Sequence, residues 1–543
     1  MRRIPLPNVV TLLLLALASA NYFGVLGDLD WSWQVRTGQR IVETGSLRTH
    51  DTFSYTLDGK LLHDFEWLWE VLLWHTWNLC GLGGLKLLRV LFVATPLGLL
   101  AWRLRRDGMR WHVIFLALVS AFFVTSPSWN LRPLYCTTIG LFLCWSLLHD
   151  FCCASDQEGR SLWLLPPVML LWANTHPGVI TGQALIVGAI GWEWLNYGLW
   201  RMFPSSGQVG NLFHKFGNQP LQQRQLWRLT LIGGLALAAT FISPDPIDRL
   251  LYPFSADLKH PIFRIFVEMQ PLHRFLFREP FVAPVVYAVA ALVLFSIVKR
   301  FRHYRIWELA LLAGLALLGS VAVRSLMDWY LIMLAMGLPH LHILYVEAVK
   351  RRPRRGWLPG MLRLDNGFKR LFASRLCRLQ PGWLAAGLGV LAVLTAIPPL
   401  GRNMPMQSAP EWPVAALDHI ERAGVRGNFF TPPDFGAYVG WRLKDEAKTY
   451  MDTRGFFFPP TLVEDSQYVP AMANDWRKRL DRVLNDYPTE YFLLETWGVR
   501  GALWSALSPH ISEPLYCDRQ AVLLTVEQVR QAVAQLDAQV AAR

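Results

Sequence analysis

Apolar runs long enough to cross a bilayer recur from the N-terminus to about residue 399, where the pattern changes character. Windows of about 19 residues place eleven spans, near 8–26, 84–102, 111–126, 133–149, 161–175, 178–198, 228–242, 281–298, 306–322, 326–346 and 383–399. The first follows Met1-Arg2-Arg3 and closes on Ala18-Ser19-Ala20, so it reads either as a span or as a cleaved signal peptide. Both readings put the next loop outside. Two long segments, 27–83 and 243–280, interrupt the series with polar, aromatic and Pro-rich sequence. Within the first, Trp67, Leu68, Val71, Leu72, Trp74 and Leu79 predict a helix over 66–80 that lies on the outer membrane surface. Beyond a linker carrying Pro405, Pro410 and Pro413 the periodicity predicts helices over 414–423, 471–485 and 525–541, and strands over 428–431, 448–452, 491–494 and 515–525. The expected fold is a mostly α polytopic membrane protein, 1–399, with a small α/β domain at 400–543.

Composition sharpens this. A chain that is 53% hydrophobic and 17% charged, with 25 Trp, is not an ordinary soluble enzyme. Its net charge of +13 could suggest nucleic acid, so the placement of the charge decides. Loops expected inside carry Arg103, Arg105, Arg106 and Arg110, then Arg201, Lys215, Arg224 and Arg228, then Lys299, Arg300, Arg302 and Arg305. Segment 347–382 adds ten basic residues against two acidic ones, whereas the first outside loop, 27–66, has four basic and seven acidic. Basicity therefore marks cytoplasmic loops and excludes a nucleic-acid partner, with the N-terminus inside and the tail 400–543 outside. The seven Cys have no zinc spacing, and Cys152-Cys153 reads as a juxtamembrane feature rather than a disulfide.

Candidate chemistry gathers on the outer face. Asp28 and Asp30, two apart on a loop, suit a shared divalent metal or a base towards an acceptor hydroxyl; the plain alternative is a solvated loop start between Trp anchors. His63, Asp64, Glu66 and Glu70 form a second cluster, with Glu66 and Glu70 on one helical face. At the outer ends of spans stand Asn130 and Arg132; Asn174, Thr175 and His176; Asp245 and Arg249; Glu268, His273 and Arg274; Arg324 and Asp328. Arg132 and Arg324 have the charge and donors to hold a lipid phosphate, or they snorkel to the interface.

The run from Asp28 to Gly38, followed by Asp51-Thr52-Phe53-Ser54-Tyr55 and Asp64-Phe65-Glu66-Trp67-Leu68-Trp69-Glu70, resembles the first periplasmic loop of bacterial polytopic proteins similar to GT-C glycosyltransferases, the superfamily of protein mannosyltransferases and aminoarabinose transferases. The similarity continues at Leu131-Arg132-Pro133, Trp172 to His176, Ile242-Ser243-Pro244, Ala322-Val323-Arg324 and Tyr450 to Arg454, and so covers nearly the whole chain. The resemblance implies a multi-pass protein of the bacterial inner membrane that moves a sugar from a polyprenyl-phosphate donor to a lipid, glycan or protein acceptor on the periplasmic face. Asp28 or Asp30 would then be the catalytic carboxylate, holding Mg or Mn if any metal is used. Arg132, His176, Arg324, Glu66, Glu70, His63, Asp64 and Glu268 would contact donor phosphate or substrate. Gln34 and Phe65 stand where this family usually has His, and Pro177 follows His176 where Gly is expected, which weakens a metal site on this loop. The alternative is a non-catalytic membrane component of envelope polysaccharide or glycoprotein assembly. A transporter would show inverted repeats with matched broken spans, and the sequence has no such symmetry.

Overall fold

The computed structural model describes Tyr22, Gly387, Val390 and residues 26–47, 49–125, 130–153, 158–203, 219–255, 259–351, 358–373 and 412–542. The expected first and last spans, 8–26 and 383–399, lie almost wholly outside the described residues, as does most of the linker. Each remaining expected span coincides with a helix: Trp67–Arg106, Trp111–Thr125, Leu134–Cys152, Leu165–Ala173, Val179–Met202, Gln223–Ala239, Val282–Arg300, Ile306–Val321 and Leu326–Arg351. Four stretches are both long and apolar enough to cross a bilayer: Trp67–Arg106, Leu134–Cys152, Val282–His303 and Val323–Arg351. Trp111–Thr125, Ser161–Ala173 and Ile306–Val321 are apolar but shorter. Their mutual packing forms one continuous core that includes Leu118, Phe142, Trp145, Leu148, Ile186, Ile232 and Tyr330, all buried.

One expectation for the first outside segment is corrected. Asp30 does not sit on a loop: it opens a helix, Asp30–Thr44, which ends at Gly45 in the left-handed conformation. Alternating charge and turn residues mask its periodicity, but Trp31, Gln34, Val35, Gly38 and Ile41 share a buried face. The expected helix over 66–80 is present: Trp67–Arg106 is two helices that meet at a non-helical Gly81 (φ 58°, ψ −149°), so the first ends before the expected span at 84–102. The helix Asp30–Thr44 lies against it so closely that a Cβ on Gly38 would meet the Glu70 carbonyl oxygen at 2.1 Å.

The tail folds as a sheet covered by helices. After an antiparallel pair in the first segment, β1 (Thr49–His50) and β2 (Leu61–Leu62), the tail's strands β3 (Gly427–Phe430), β4 (Ala447–Thr449), β5 (Tyr491–Glu495), β6 (Tyr516–Cys517) and β7 (Ala521–Thr525) are ordered β4-β3-β5-β7-β6, parallel at β4-β3-β5 and antiparallel at β5-β7-β6. The segment expected as one strand at 515–525 is a hairpin, turned by Asp518, whose carboxylate accepts the Gln520 and Ala521 backbone N–H groups. Helices Val414–Ala423, Trp476–Asn485 and Val526–Ala542 fall near their expected positions. Pro433–Arg442 and Pro460–Tyr468, unrecognised in the sequence, each start at the second Pro of a pair, the position that tolerates a missing N–H.

The first outside segment is built into this tail. Tyr55 N–H donates to the Thr449 carbonyl at 3.0 Å and Thr449 N–H to that of Phe53 at 2.8 Å, so Phe53–Tyr55 extends the β4 edge. Beside it the Arg454 guanidinium donates to Asp51 Oδ1 at 2.7 Å and Asp452 Oδ2 at 2.6 Å, all three residues buried, with the Phe53 and Phe457 rings each 4.9 Å from its centre. Trp31 stacks on Trp77 at 5.7 Å and meets Trp412 at 6.1 Å and Trp441 at 5.0 Å, joining the first helix, the long helix and the tail in one aromatic cluster. Removing one partner of a buried ion group strands the others, so Arg454→Met should cost about 3–5 kcal/mol, read as a lower denaturation midpoint in detergent. Adding Asp51→Asn to that variant should cost less than the sum of the single changes, because the two share one interaction.

Candidate functional site

Between the helical body and the tail lies a cavity of about 610 Å³. The residues expected to act on the sugar, the phosphate or the acceptor line it: Asp28, Asp30, His63, Asp64, Glu66, Glu70, Arg132, His176, Glu268 and Arg324; of the other candidates at the ends of spans, Asn130, Asn174, Thr175, Asp245, Arg249, His273, Arg274 and Asp328 do not. Local structure explains the convergence. Asp28 precedes the helix Asp30–Thr44 and accepts the Asp30 backbone N–H on Oδ1 at 3.0 Å, which sets both carboxylates at that helix start. Arg132 stands just before Leu134–Cys152, and Arg324 in the turn Val323–Ser325 between the Ile306–Val321 and Leu326–Arg351 helices. Glu268 comes from a single turn, Val267–Met269, inside the second long segment.

Arg132 is saturated. Its guanidinium contacts Asp28, Glu268 and, at 3.1 Å, Asp30 Oδ2. Burial opposes its charge, but the three carboxylates outweigh that and hold its pKa above the ordinary value, while Arg132 keeps Glu268 below the usual carboxylate range despite burial. Asp30 is different: burial, then the neighbouring Asp28 charge, push it up to about 7. Its Oδ1 is buried and makes no hydrogen bond of ordinary length among the described residues, although the nearby Thr453 hydroxyl pulls its pKa partly back, whereas both Asp28 oxygens are engaged.

Arg324 makes no ion pair among the described residues; its one polar contact is the Met269 sulfur at 3.7 Å. Its charge is nevertheless felt around the cavity, helping to hold His176 down and to pull back the rise at Glu66. Burial first and Arg324 second lower His176 to about 3, so the ring is neutral. Its Nδ1 accepts the Gly178 backbone N–H at 3.0 Å, which leaves the proton on Nε2, facing Glu66 Oε1 at 3.6 Å. Burial and Asp64 raise Glu66 to about 8, so this contact is between neutral groups and is not a salt bridge. Burial also raises Asp64.

The departures from the family pattern have local explanations. Gln34 accepts the Trp69 indole N–H at 3.1 Å and directs its amide at Glu66 Oε2, 3.4 Å away, so it orients a carboxylate where an imidazole would titrate. Pro177 displaces the glycine by one position: a Cβ on Gly178 would lie 2.2 Å from Thr137 Oγ1, and this close approach fixes the His176 loop. Phe65 packs edge-on to Tyr252 at 5.4 Å. His63, with Asp245 at 3.4 Å and Asp248 at 3.8 Å, forms a separate and largely exposed cluster at the cavity rim.

Sequence reasoning missed the tail's contribution. Asp434, Thr453, Arg454 and Gly455–Phe457 line the cavity, and Lys60 and Tyr252 do so from the outside segments. The Tyr450–Arg454 motif was the available signal, but its distance from the first loop concealed the contact. Lys86, counted as part of an apolar span, is buried with Nζ unpartnered among the described residues, a costly arrangement for a cation at membrane depth.

No known protein-family profile matches the sequence, and no curated protein matches it. Solved structures do. The apo crystal structure of ArnT from Cupriavidus metallidurans aligns with a TM-score of 0.50 at 13% identity, over 97% of this chain and 98% of that one. The apo oligosaccharyltransferase of Archaeoglobus fulgidus aligns with a TM-score of 0.50 at 11% identity, over 90% of this chain and 69% of that one. The same archaeal enzyme tethered to an acceptor peptide containing the NVT sequon aligns with a TM-score of 0.50 at 11% identity, over 90% and 68%. The chain therefore shares the fold of these two enzymes.

Proposed function

We propose that this protein is a membrane glycosyltransferase that moves a sugar from a polyprenyl-phosphate-linked donor to a hydroxyl or amide of a lipid, glycan or protein acceptor. In this reading the chain crosses a bacterial inner membrane eleven times, with the N-terminus cytoplasmic and both the cavity and the tail periplasmic. The observation that carries it is the division of labour among the charges of one cavity: a carboxylate oxygen with no hydrogen bond of ordinary length, Asp30 Oδ1, and a guanidinium with no counter-ion, Arg324, both among the described residues.

Asp30 Oδ1 takes the proton from the acceptor hydroxyl as its oxygen attacks the anomeric carbon; the bond from that carbon to the donor phosphate breaks, and the phosphate leaves as an anion beside Arg324. Asp28 and Arg132 orient Asp30 rather than react, since their polar atoms are already engaged. Glu66, protonated below about 8, donates a hydrogen bond to the sugar or acceptor. A divalent cation such as Mg or Mn would be held through Asp30 Oδ1 and the Glu268 carboxylate, since both Asp28 oxygens are already engaged. Such an ion, when bound, supplies Lewis-acid stabilisation of the leaving phosphate.

Asp30→Asn should lower transfer of radiolabelled sugar from polyprenyl-phosphate donors in isolated membranes by about 10²–10⁴-fold, with protein level unchanged. Wild-type product from both Asp30→Asn and Asp28→Asn would sink the catalytic assignment and leave the non-catalytic assembly role. Arg324→Ala should weaken binding of polyprenyl phosphate itself by roughly tenfold or more, measured by native mass spectrometry without turnover. The pH dependence has a definite sign. With Asp30 raised to about 7, the base is protonated and inactive below that pH, so transfer should rise with pH through about 7; the limb should vanish in the residual activity of Asp30→Asn. A flat profile between pH 6 and pH 8, about one unit on either side of that value, would remove Asp30 as the base.

A further inference from the structure

A second cavity, of about 310 Å³, lies at the other end of the helical body and takes no part in the reaction proposed above. Leu134 lines the first cavity, and His149 lies about four turns, roughly 22 Å of helical rise, farther along the same helix. His149, Cys153, Glu308, His303 and His340 line this second space. Their placement follows from helix ends: His149 and Cys153 close Leu134–Cys152, Glu308 sits in the first turn of Ile306–Val321, and His340 is on Leu326–Arg351.

The three ligand-capable atoms of His149, Cys153 and Glu308 lie within 4.8 Å of one another. Cys153 Sγ is 3.8 Å from His149 Nδ1, and His149 Nδ1 is 2.5 Å from Glu308 Oε1. Bond lengths to a tetrahedral zinc-class ion require about 3.6 Å between sulfur and nitrogen and about 3.4 Å between nitrogen and oxygen. The sulfur–nitrogen separation already fits, and the His149–Glu308 hydrogen bond needs to open by less than about 1 Å to admit the ion. His340 lines the same cavity and its buried Nδ1 has no hydrogen-bond partner among the described residues, but it stands outside the group whose ligand atoms lie within 4.8 Å of one another, so the fourth position is left to water. Glu308 is held for the purpose by the Trp145 indole N–H at 3.2 Å and the Arg305 backbone N–H at 3.0 Å. Arg103, which also lines the space, does not oppose a cation, because Asp107 and Asp150 neutralise it.

We propose that His149, Cys153 and Glu308 form a three-ligand binding site for a zinc-class transition-metal ion, with water in the fourth position, at the end of the helical body opposite the Asp30 and Arg324 cavity. Mixed nitrogen, sulfur and oxygen donors select such a metal over Mg or Ca, and the Cys153 thiol gives up its proton on binding. The ion would cross-link the Leu134–Cys152 and Ile306–Val321 helices, replacing the His149–Glu308 hydrogen bond between them with metal bonds. Because Cys153 is exposed, the site can load without unfolding.

Co²⁺ is the probe, titrated into the full chain purified in detergent and stripped of metal. The expected result is a thiolate-to-cobalt charge-transfer band in the near-ultraviolet with visible bands of tetrahedral coordination, saturating near one equivalent and bleached by Zn²⁺. Cys153→Ser should abolish the charge-transfer band while the protein stays monodisperse, and Glu308→Gln should keep that band but shift the visible ones. The double variant Asp28→Asn/Asp30→Asn should retain the whole spectrum, which separates this site from any ion in the first cavity. No thiolate band in the unmodified chain, or one that survives Cys153→Ser, would overturn the proposal.

Discussion

A guanidinium taken out of water must bring its counter-charge with it, and Arg454 takes its carboxylates from two distant parts of the chain, Asp51 and Asp452. That requirement fixes where the first outside segment can go. Once Asp51 is committed to Arg454, Phe53–Tyr55 lies along the β4 edge, and the chain on either side is brought over the helical body. The cavity is a consequence: one wall comes from the segment around Asp28 to Glu70 and the other from Thr453 to Phe457. Neither wall exists without the joint between them. The Trp31 cluster reinforces the same joint by burial, so much of the tryptophan near the first segment works as packing between layers and not as a membrane belt.

Inside the cavity, two arginines that look alike in sequence differ in what they can do. Arg132 is surrounded by Asp28, Asp30 and Glu268, so its charge is spent on holding carboxylates that would otherwise repel one another. Arg324, without an ion pair among the described residues, keeps its charge for a ligand. The asymmetry also separates the acids. Arg132 keeps Glu268 ionised, while burial and Asp28 leave Asp30 near neutrality, and groups pushed apart in this way can take different roles at one pH.

Much of this was legible in the sequence because hydropathy and local motifs report local physics. The apolar runs marked helices nearly to the residue, as with Ile306–Val321 against an expected 306–322. Arg132, His176, Glu268 and Arg324, at the outer ends of expected spans, meet in one cavity because an ionisable group at membrane depth needs a partner or water. What stayed hidden depends on tertiary contact. The helix Asp30–Thr44 is stabilised by its packing on Trp67–Arg106, with Gly38 against the Glu70 carbonyl, and its own polar sequence gives no such signal. Asp51 and Arg454 were visible as motif residues, but nothing in their spacing disclosed that they pair. Cys153 looked uninformative for the same reason: its companions at 149 and 308 have no recognisable zinc spacing.

The missing imidazoles bear on mechanism more than on fold. Gln34 cannot titrate, and it occupies its place by bonding Trp69 and Glu66, so the local geometry survives without a proton acceptor there. His176, the remaining imidazole deep in the cavity, is kept neutral by burial and Arg324, and its Nδ1 is already engaged by Gly178. Proton handling at neutral pH therefore falls to carboxyl groups, and burial has raised several that line the cavity, among them Asp64, Asp30 to about 7 and Glu66 to about 8. A site that has exchanged histidine for raised carboxylates retains a base and an acid in the physiological range. In the proposed reaction the departures from the family pattern thus relocate the acid–base chemistry to carboxyl groups without abolishing it.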